Sequence, residues 1–541
     1  MSLLTHYKSN LKGDLIGGLT AAIVAIPTGL AFGIASGLGP EAGLYTAVFL
    51  AIVAGVFGGT QTLISDPTGP MTLVAAGVVG GMAGGTDMAM LTFALTGIIQ
   101  VLFSFLKIAK YVKFIPYPVV SGFMGGIGVI IISLQLFPLL GHGNPKDKSV
   151  LNIFSSLPDA LSDVNYANFG IGILTIALIY LIPFITKKVP SILVSLLVAT
   201  AASVALKLDI PTVPEISSEI PMPDISFLAG ISFSDISHAL VMAITLASLG
   251  TIDTLLTSVV ADNLTKTKHK GDRELLGQGV GNFVVSLFGG FPGAGSTSGS
   301  VINIKSGAKT NLSGVSKGVF LLFIILFLSS FISYVPTAAL AGILVTVGIG
   351  VIDIKGIKML LKVPKGEALI LILTLLVTVF DDLLHAVALG ALLATVFFME
   401  KMSKVVDDLN SKGGLESFAK KVKIPDELLE KVFVVRLDGP VFFGFADDFK
   451  QIVNSIEGYE AIIIDMKRVP FTDQTGMMTI EDTISSCKEQ GIEVYIVGAN
   501  NTIFEQMESL KIPGGLVDEN HFFPYFKSCV KHLKHVYLKE V

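Results

Sequence analysis

Long apolar runs, separated by short polar loops, dominate residues 1–404 of the chain. Fourteen runs are long enough to cross a bilayer, alone or as pairs of half-helices, and they form two sets of seven. The first set lies at about 14–37, 41–58, 63–83, 87–107, 115–140, 169–186 and 190–207. The second set lies at about 237–261, 274–291, 294–308, 314–334, 336–353, 366–380 and 384–400. An odd number of spans per half predicts that the halves, about 14–207 and 237–400, are inverted repeats of each other.

Two of these runs are interrupted by residues that continue a helix only at a high cost. The stretch 289–301, with the sequence GGFPGAGSTSGSV, has four glycines and a proline before Ser296. Residues 296–298 then have the pattern of an N-cap and first turn of a new, short helix. The stretch 63–72, LISDPTGPMT, is its counterpart in the first half. We expect the two helix starts to face each other across an anion site, because free amides and partial positive charge collect there. A Gly/Ser loop at the membrane surface is the alternative.

The charged residues set the orientation of the chain. With 51% hydrophobic and 15% charged residues, and a mean hydropathy of +0.73, the chain is predicted to be an α-helical polytopic membrane protein. Basic residues concentrate in alternate loops, which the positive-inside bias assigns to the cytoplasm. Examples are Lys107, Lys110, Lys266, Arg273, Lys305, Lys309, Lys317, Lys355 and Lys401. We therefore expect a multi-pass protein of the inner (plasma) membrane with both termini in the cytoplasm. The net charge of −5 gives no reason to expect nucleic-acid binding.

Asp253 is the clearest ionisable residue inside a predicted span. Thr257 lies one helical turn further on and shares its face. A carboxylate, a hydroxyl and backbone oxygens suit a hard cation, for which Na⁺ is the first choice. A proton carrier and an Asp bonded to the neighbouring broken backbone are the alternatives. Asp66 could cap its half-helix or face an inner vestibule, and Glu274 is expected at the cytoplasmic interface.

Chemistry of an enzymatic kind is not expected. The sequence shows no metal-enzyme spacing and no nucleophile–base pair, and its glycine-rich stretches lack the Lys-Ser/Thr of a phosphate-binding loop. The two cysteines, Cys487 and Cys529, lie in the polar C-terminal region and are expected to be reduced thiols.

The C-terminal region changes character from apolar to mixed. Residues 405–430 are expected to form a charged linker, and residues 431–541 a small cytoplasmic α/β domain. The strands are predicted at 432–439, 460–465 and 493–498. The helices are predicted at 445–456, 477–489 and 501–510.

Several motifs together resemble the SulP family of anion transporters with a C-terminal STAS domain. They lie at 13–22, 65–72, 248–258, 277–282 and 291–297, with a STAS-like pair at 462–465 and 471–476. The resemblance implies a seven-plus-seven inverted repeat, a core domain that moves against a gate domain, and a homodimer. Gln474 stands in the place of the phosphorylatable serine of related bacterial regulators, so a phosphoserine switch is not expected there. A dimerisation or partner-docking role of the STAS domain is favoured over ligand sensing.

The resemblance also implies site residues. A Na⁺ site maps onto Asp253, Thr257, Gly295 and Thr297. An anion site maps onto Thr68, Ser296 and the adjoining half-helix backbones, and our full set of anion-site candidates is Thr68, Gly69, Met71, Thr72, Ser296, Thr297, Ser298 and Phe32. Plain packing is the alternative for Phe32.

Within the family, the likeness is greatest to cyanobacterial members that take up bicarbonate with Na⁺. We therefore expect Na⁺-coupled uptake of bicarbonate or a similar small anion by alternating access. Proton-coupled sulfate or dicarboxylate transport is one alternative, and an uncoupled anion channel or a membrane-tethered scaffold is another. Gly299 stands where many members have an arginine, which disfavours tight binding of a doubly charged anion, and Lys305 is expected too near the cytoplasm to replace that arginine.

Overall fold

The computed structural model of the chain describes most of its residues. They are 10–81, 85–112, 114–143, 145, 149–186, 189–217, 222–229, 233–360, 362, 364–381, 383–409, 424–442 and 458–538. The chain divides into two compact units between Leu392 and Leu393.

A helix lies at each of the fourteen predicted apolar runs. The helices of the first half are α1 Leu11–Ser36, α2 Pro40–Phe57, α3 Gly69–Gly81, α4 Gly85–Phe105, α5 Ala109–Val112, α6 Tyr117–Leu140, α7 Val150–Ser162, α8 Tyr166–Ile185 and α9 Ser191–Ala205. Those of the second half are α10 Phe233–Thr265, α11 Gly271–Leu287, α12 Thr297–Lys305, α13 Leu312–Ile332, α14 Thr337–Val351, α15 Ile354–Met359, α16 Lys365–Phe380 and α17 Leu383–Leu409. Within the described residues, six helices are long and apolar enough to cross a membrane alone, so the count of fourteen crossings stays a prediction.

The helices of the first unit pack into two groups. In one group α11 packs on α2 and α4, α13 packs on α1 and α2, and α10 packs on α4. In the other group α6 packs on α14 and α16, and α8 packs on α9 and α14. Each group therefore draws helices from both halves of the sequence.

The two interrupted helices meet in the first group. Strand β1, Ser65–Asp66, pairs antiparallel with strand β2, Ala294–Gly295, and Ser65 lies opposite Gly295. The amide of Ser296 extends this pairing by donating to the carbonyl of Ile64 at 2.8 Å. The prediction that the two interruptions lie together is confirmed by this pairing.

The second unit contains a parallel sheet of four strands in the order β3-β4-β5-β6. The strands are β3 Val432–Asp438, β4 Ala461–Arg468, β5 Glu493–Val497 and β6 Phe522–Phe523, and the helices are α18 Asp426–Leu429, α19 Gln474–Glu489, α20 Asn501–Ser509 and α21 Phe526–Tyr537. Successive residues of β4 join two different apolar clusters, because neighbouring strand side chains face opposite sides. The predicted α/β fold is confirmed, whereas β6 and α21 were not predicted. The predicted helix 445–456 lies outside the described residues, as does most of the predicted linker.

Candidate functional site

Thr68 stands at the start of the first half-helix, α3. Its carbonyl accepts hydrogen bonds from the amide of Thr72 at 2.9 Å and from the hydroxyl of Thr72 at 2.8 Å. Its own hydroxyl oxygen is buried and has no hydrogen-bond partner among the described residues. Gly69, Met71 and Thr72 are all buried. The hydroxyl of Thr68 lies near the carboxylate of Asp253 on α10, so the candidates for the anion and the cation are neighbours.

Ser296 forms the start of the second half-helix, α12. Its extended backbone makes it the N-cap, and its hydroxyl accepts a hydrogen bond from the amide of Gly299 at 3.2 Å. Thr297 and Ser298 are exposed side chains of the first turn, whereas Gly299 is buried. The predicted N-cap and helix start at 296–298 are confirmed, and this end of α12 carries free amides and partial positive charge.

Three residues of the implied Na⁺ set are in direct contact. The hydroxyl of Thr257 on α10 donates to the carbonyl of Gly295 at 2.9 Å and lies 2.7 Å from the hydroxyl of Thr297. The neighbouring hydroxyl of Thr254 accepts the amide of Gly295 at 3.0 Å. Helix α10 thereby holds β2 and the start of α12 through two threonines.

Asp253, the fourth member, lies one helical turn before Thr257. Its Oδ2 atom is buried without a hydrogen-bond partner among the described residues. The side chain lines a small cavity together with Pro70 of α3, Phe123 of α6 and Val387 of α17. Asp253 therefore lies where the two helix groups of the first unit meet. The part of the chain that the structure describes contains no cluster of three or more His, Cys, Asp or Glu side chains suited to a metal ion.

Phe32 differs from the other candidates because its side chain is apolar. It is 5% exposed and belongs to the main buried apolar cluster of the first unit. Its packing supports the structural alternative, and its role in anion binding stays a prediction.

Lys317 lies beside β1, although the sequence analysis predicts it in a cytoplasmic loop. The prediction that it lies in an inner loop is wrong, because it lies within α13 and its side chain is fully buried. Its Nζ atom lies 2.5 Å from the Oδ1 atom of Asp66, 2.6 Å from the carbonyl of Ala47 and 3.4 Å from the carbonyl of Ser65. Asp66 thus belongs to β1 and pairs with a buried ammonium group.

Helix α11 supports both interruptions with a row of polar side chains spaced four residues apart. Glu274 accepts two backbone amides of the loop before β1 at 2.8 Å each, and Gln278 donates to the hydroxyl of Ser65 at 2.6 Å. Asn282 donates to the carbonyl of Gly293 at 3.1 Å and accepts its amide at 2.9 Å. Glu274, expected at the cytoplasmic interface, is 1% exposed. The spacing of four was the available signal, because such residues share one helical face.

The C-terminal unit holds both cysteines as free, buried thiols. Burial raises the pKa of the Cys529 thiol to about 12 and also raises the pKa of Cys487. Gln474 is the first residue of α19, whose N-cap is Asp473. The side chains of Phe471 and Met478 near this helix start are exposed.

Comparison with protein families gives two matches. The model of the sulfate permease family matches residues 11–374. The model of the STAS domain matches residues 423–526.

Comparison with individual proteins agrees with these matches. The bicarbonate transporter BicA of Picosynechococcus sp. is 39% identical over 528 residues, which cover 94% of this chain and 92% of that protein. The putative sulfate transporter YvdB of Bacillus subtilis is 31% identical over 521 residues, covering 95% of this chain and 96% of that protein. Among solved structures, the transmembrane domain of a cyanobacterial BicA is 41% identical with a TM-score of 0.64, covering 70% of this chain and 97% of that one.

Proposed function

The chain belongs to the sulfate permease family of anion transporters, and from this premise we propose that it takes up bicarbonate, or a similar small anion, together with Na⁺. The observation that carries the proposal is the β1–β2 pairing, which brings two half-helix starts beside the contact of Thr257, Gly295 and Thr297. The 39% identity to a protein named as a bicarbonate transporter supports the choice of substrate.

The anion is proposed to bind between the starts of α3 and α12. Each start carries unpaired first-turn amides and a partial charge of about +0.5. The hydroxyl of Thr68 is buried at the start of α3, beside the carboxylate of Asp253, and is proposed to donate to an anion oxygen. Ser296 holds the first turn of α12 in place by capping it.

The cation is proposed to bind at Asp253. A carboxylate oxygen that is buried without a partner is costly, and a cation supplies the missing charge. The hydroxyl of Thr257 lies one helical turn further along α10. Together with the atoms it contacts, the carbonyl of Gly295 and the hydroxyl of Thr297, it offers oxygens that suit Na⁺, a hard ion. Na⁺ at Asp253 would offset a negative charge that otherwise opposes anion binding, and this links the two solutes.

Alternating access is proposed to occur by movement between the two helix groups of the first unit. The paired strands and their supporting helices lie in one group, so the whole site would move with it. The cavity beside Asp253 is lined by Phe123 of α6, a helix of the other group, which supports a site at the sliding surface.

The remaining proposals concern the membrane and partners of the protein. We infer that it lies in the inner (plasma) membrane with both termini in the cytoplasm and forms a homodimer. Light scattering of the purified protein tests the dimer against the chain mass of 57.1 kDa.

The STAS domain is a protein-interaction domain, and exposed Phe471 and Met478 are its proposed docking side chains. Unchanged crosslinks in cells after substituting both by serine would contradict that surface.

The test of coupled transport compares Asp253→Asn with the wild type in proteoliposomes. Wild-type protein should accumulate labelled bicarbonate against its gradient when Na⁺ is supplied outside. Na⁺-driven uptake by the variant should be at least about tenfold lower than uptake by the wild type, because residue 253 no longer carries a charge. Asp262→Asn is the matched control, since Asp262 lies on the same helix but bonds to His269 and Thr267. Equal Na⁺ stimulation of both variants and wild type would refute the coupling.

Proton-coupled sulfate transport is the second candidate, because a putative sulfate transporter is 31% identical over nearly the whole chain. Uptake of labelled sulfate that follows a pH gradient and ignores Na⁺ would select it. An uncoupled channel predicts no accumulation above equilibrium for any tested anion.

A further inference from the structure

The ion pair between Lys317 and Asp66 is buried beside the proposed anion site. The side chain of Lys317 is 0% exposed and that of Asp66 is 9% exposed. The ammonium group has three hydrogens, and three oxygen atoms lie within 3.4 Å of it, from Asp66, Ala47 and Ser65. Lys317 therefore has no spare donor for a solute and can act on one only through Asp66.

The carboxylate of Asp66 reaches from this ion pair to the start of α12. A Cβ atom placed on Gly299 would lie 3.2 Å from the Oδ2 atom of Asp66 and 3.2 Å from the hydroxyl oxygen of Ser296. One carboxylate oxygen thus pairs with the ammonium, and the other lies against the first turn of the half-helix. Negative charge is stabilised at a helix N-terminus, so an unneutralised Asp66 would take the place of a solute anion electrostatically.

We propose that Lys317 is a specificity-determining positioning residue, which neutralises Asp66 and so leaves the start of α12 available to a singly charged anion. The inference rests on the anion site proposed above. With the pair intact and Na⁺ at Asp253, the local charge is zero, and the helix ends attract an anion only through partial charges. The pair therefore sets the preference for one negative charge over two.

The two single substitutions should act in opposite directions. Lys317→Met leaves a bare carboxylate at the helix start and should raise the KM for bicarbonate by about tenfold or more. Asp66→Asn leaves an unpaired ammonium group and should lower the KM, with a larger gain for sulfate than for bicarbonate. The double variant restores a local charge of zero and should return the KM to within about threefold of the wild type.

A purely structural pair gives a different pattern. It predicts that both single variants lose affinity and abundance alike and that the charge of the anion makes no difference. Lys305→Met is the matched control, because Lys305 is an exposed lysine at the far end of α12. Single variants that change KM in the same direction, or a double variant as impaired as Lys317→Met, would overturn the proposal.

Two quantities are measured, so that the role of Lys317 can be tested even if the transport proposal is wrong. The first is the KM of the purified full chain in proteoliposomes for bicarbonate and sulfate. The second is the shift in unfolding temperature of the detergent-purified protein on adding each salt, since a bound anion stabilises the folded state. If the wild type accumulates neither anion, the proposed function fails, and the thermal shifts alone decide the role of Lys317. Should Lys317→Met not fold, the sign of the Asp66→Asn effect and the double variant decide it.

Discussion

A single hydroxyl group, that of Thr257, lies at the junction of the proposed cation site. It contacts the carbonyl of Gly295 and the hydroxyl of Thr297 at once. We expect Thr257→Val to raise the Na⁺ concentration for half-maximal uptake by about tenfold, because a buried hydrogen-bonding group and an oxygen ligand are lost together. Initial uptake rates at varied Na⁺ measure this.

The control for that substitution lies on the same helix. Thr245→Val removes a hydroxyl that bonds within α10, to the carbonyl of Val241 at 3.0 Å. It should leave the Na⁺ dependence unchanged. An equal shift in both variants would mean that the valine acts through the helix and that Thr257 is no ligand.

Sequence reasoning works at the residue scale when partners are close along the chain. Asp253 and Thr257 were predicted as a pair because four residues make one helical turn. Asp66 and Lys317 are 251 residues apart, and a lysine after a cytoplasmic loop has the pattern of an orientation signal. Their pairing needs the three-dimensional fold, because no local pattern distinguishes a buried lysine from a loop lysine.

Close approach of helices depends on glycine at defined positions. A Cβ atom on Gly279 of α11 would lie 2.7 Å from the carbonyl oxygen of Gly97 and 2.7 Å from the amide nitrogen of Val101, both backbone atoms of α4. Gly279→Ala should therefore lower the unfolding temperature by several degrees, since overpacking costs about 1–3 kcal/mol. Thermal unfolding in detergent measures the effect.

Gly350 on α14 provides the comparison. No heavy atom lies within 4 Å of a Cβ placed on it, so Gly350→Ala adds a better helix former without a clash. Its unfolding temperature should stay the same or rise slightly. A Gly279→Ala protein as stable as the Gly350→Ala protein would show that α4 and α11 can separate at little cost.

Helices were predicted more completely than the strands. Long apolar runs locate membrane helices because each must bury its backbone polar groups internally. Strands β1 and β2 are two residues each, so the sequence predicted their proximity through the helix interruptions but not their pairing. Strand β6 is equally short, and its contribution depends on its place beside β5.

The orientation of the whole chain follows from its loop charges. Lys317 is removed from that argument by its burial, but the other basic loop residues still favour cytoplasmic termini. The test uses cells whose outer layers have been removed but whose plasma membrane is intact. Antibodies should not reach tags fused to either end of the chain in these cells, and they should reach both tags after permeabilisation. Labelling of both tags before permeabilisation would reverse the orientation, and labelling of only one tag would contradict an odd number of spans in each half.

The contact between the two interrupted helices also affects how the protein is made, because its partners are far apart in the chain. The amide of Ile64 finds its acceptor, the hydroxyl of Ser300, 236 residues later in the chain. At about 5–20 residues per second, the ribosome needs roughly ten to fifty seconds to synthesise that interval. During that time the nascent first half carries unpaired amides and an unneutralised aspartate at the level of its broken helix. A translational stall in this interval prolongs the exposure of those groups.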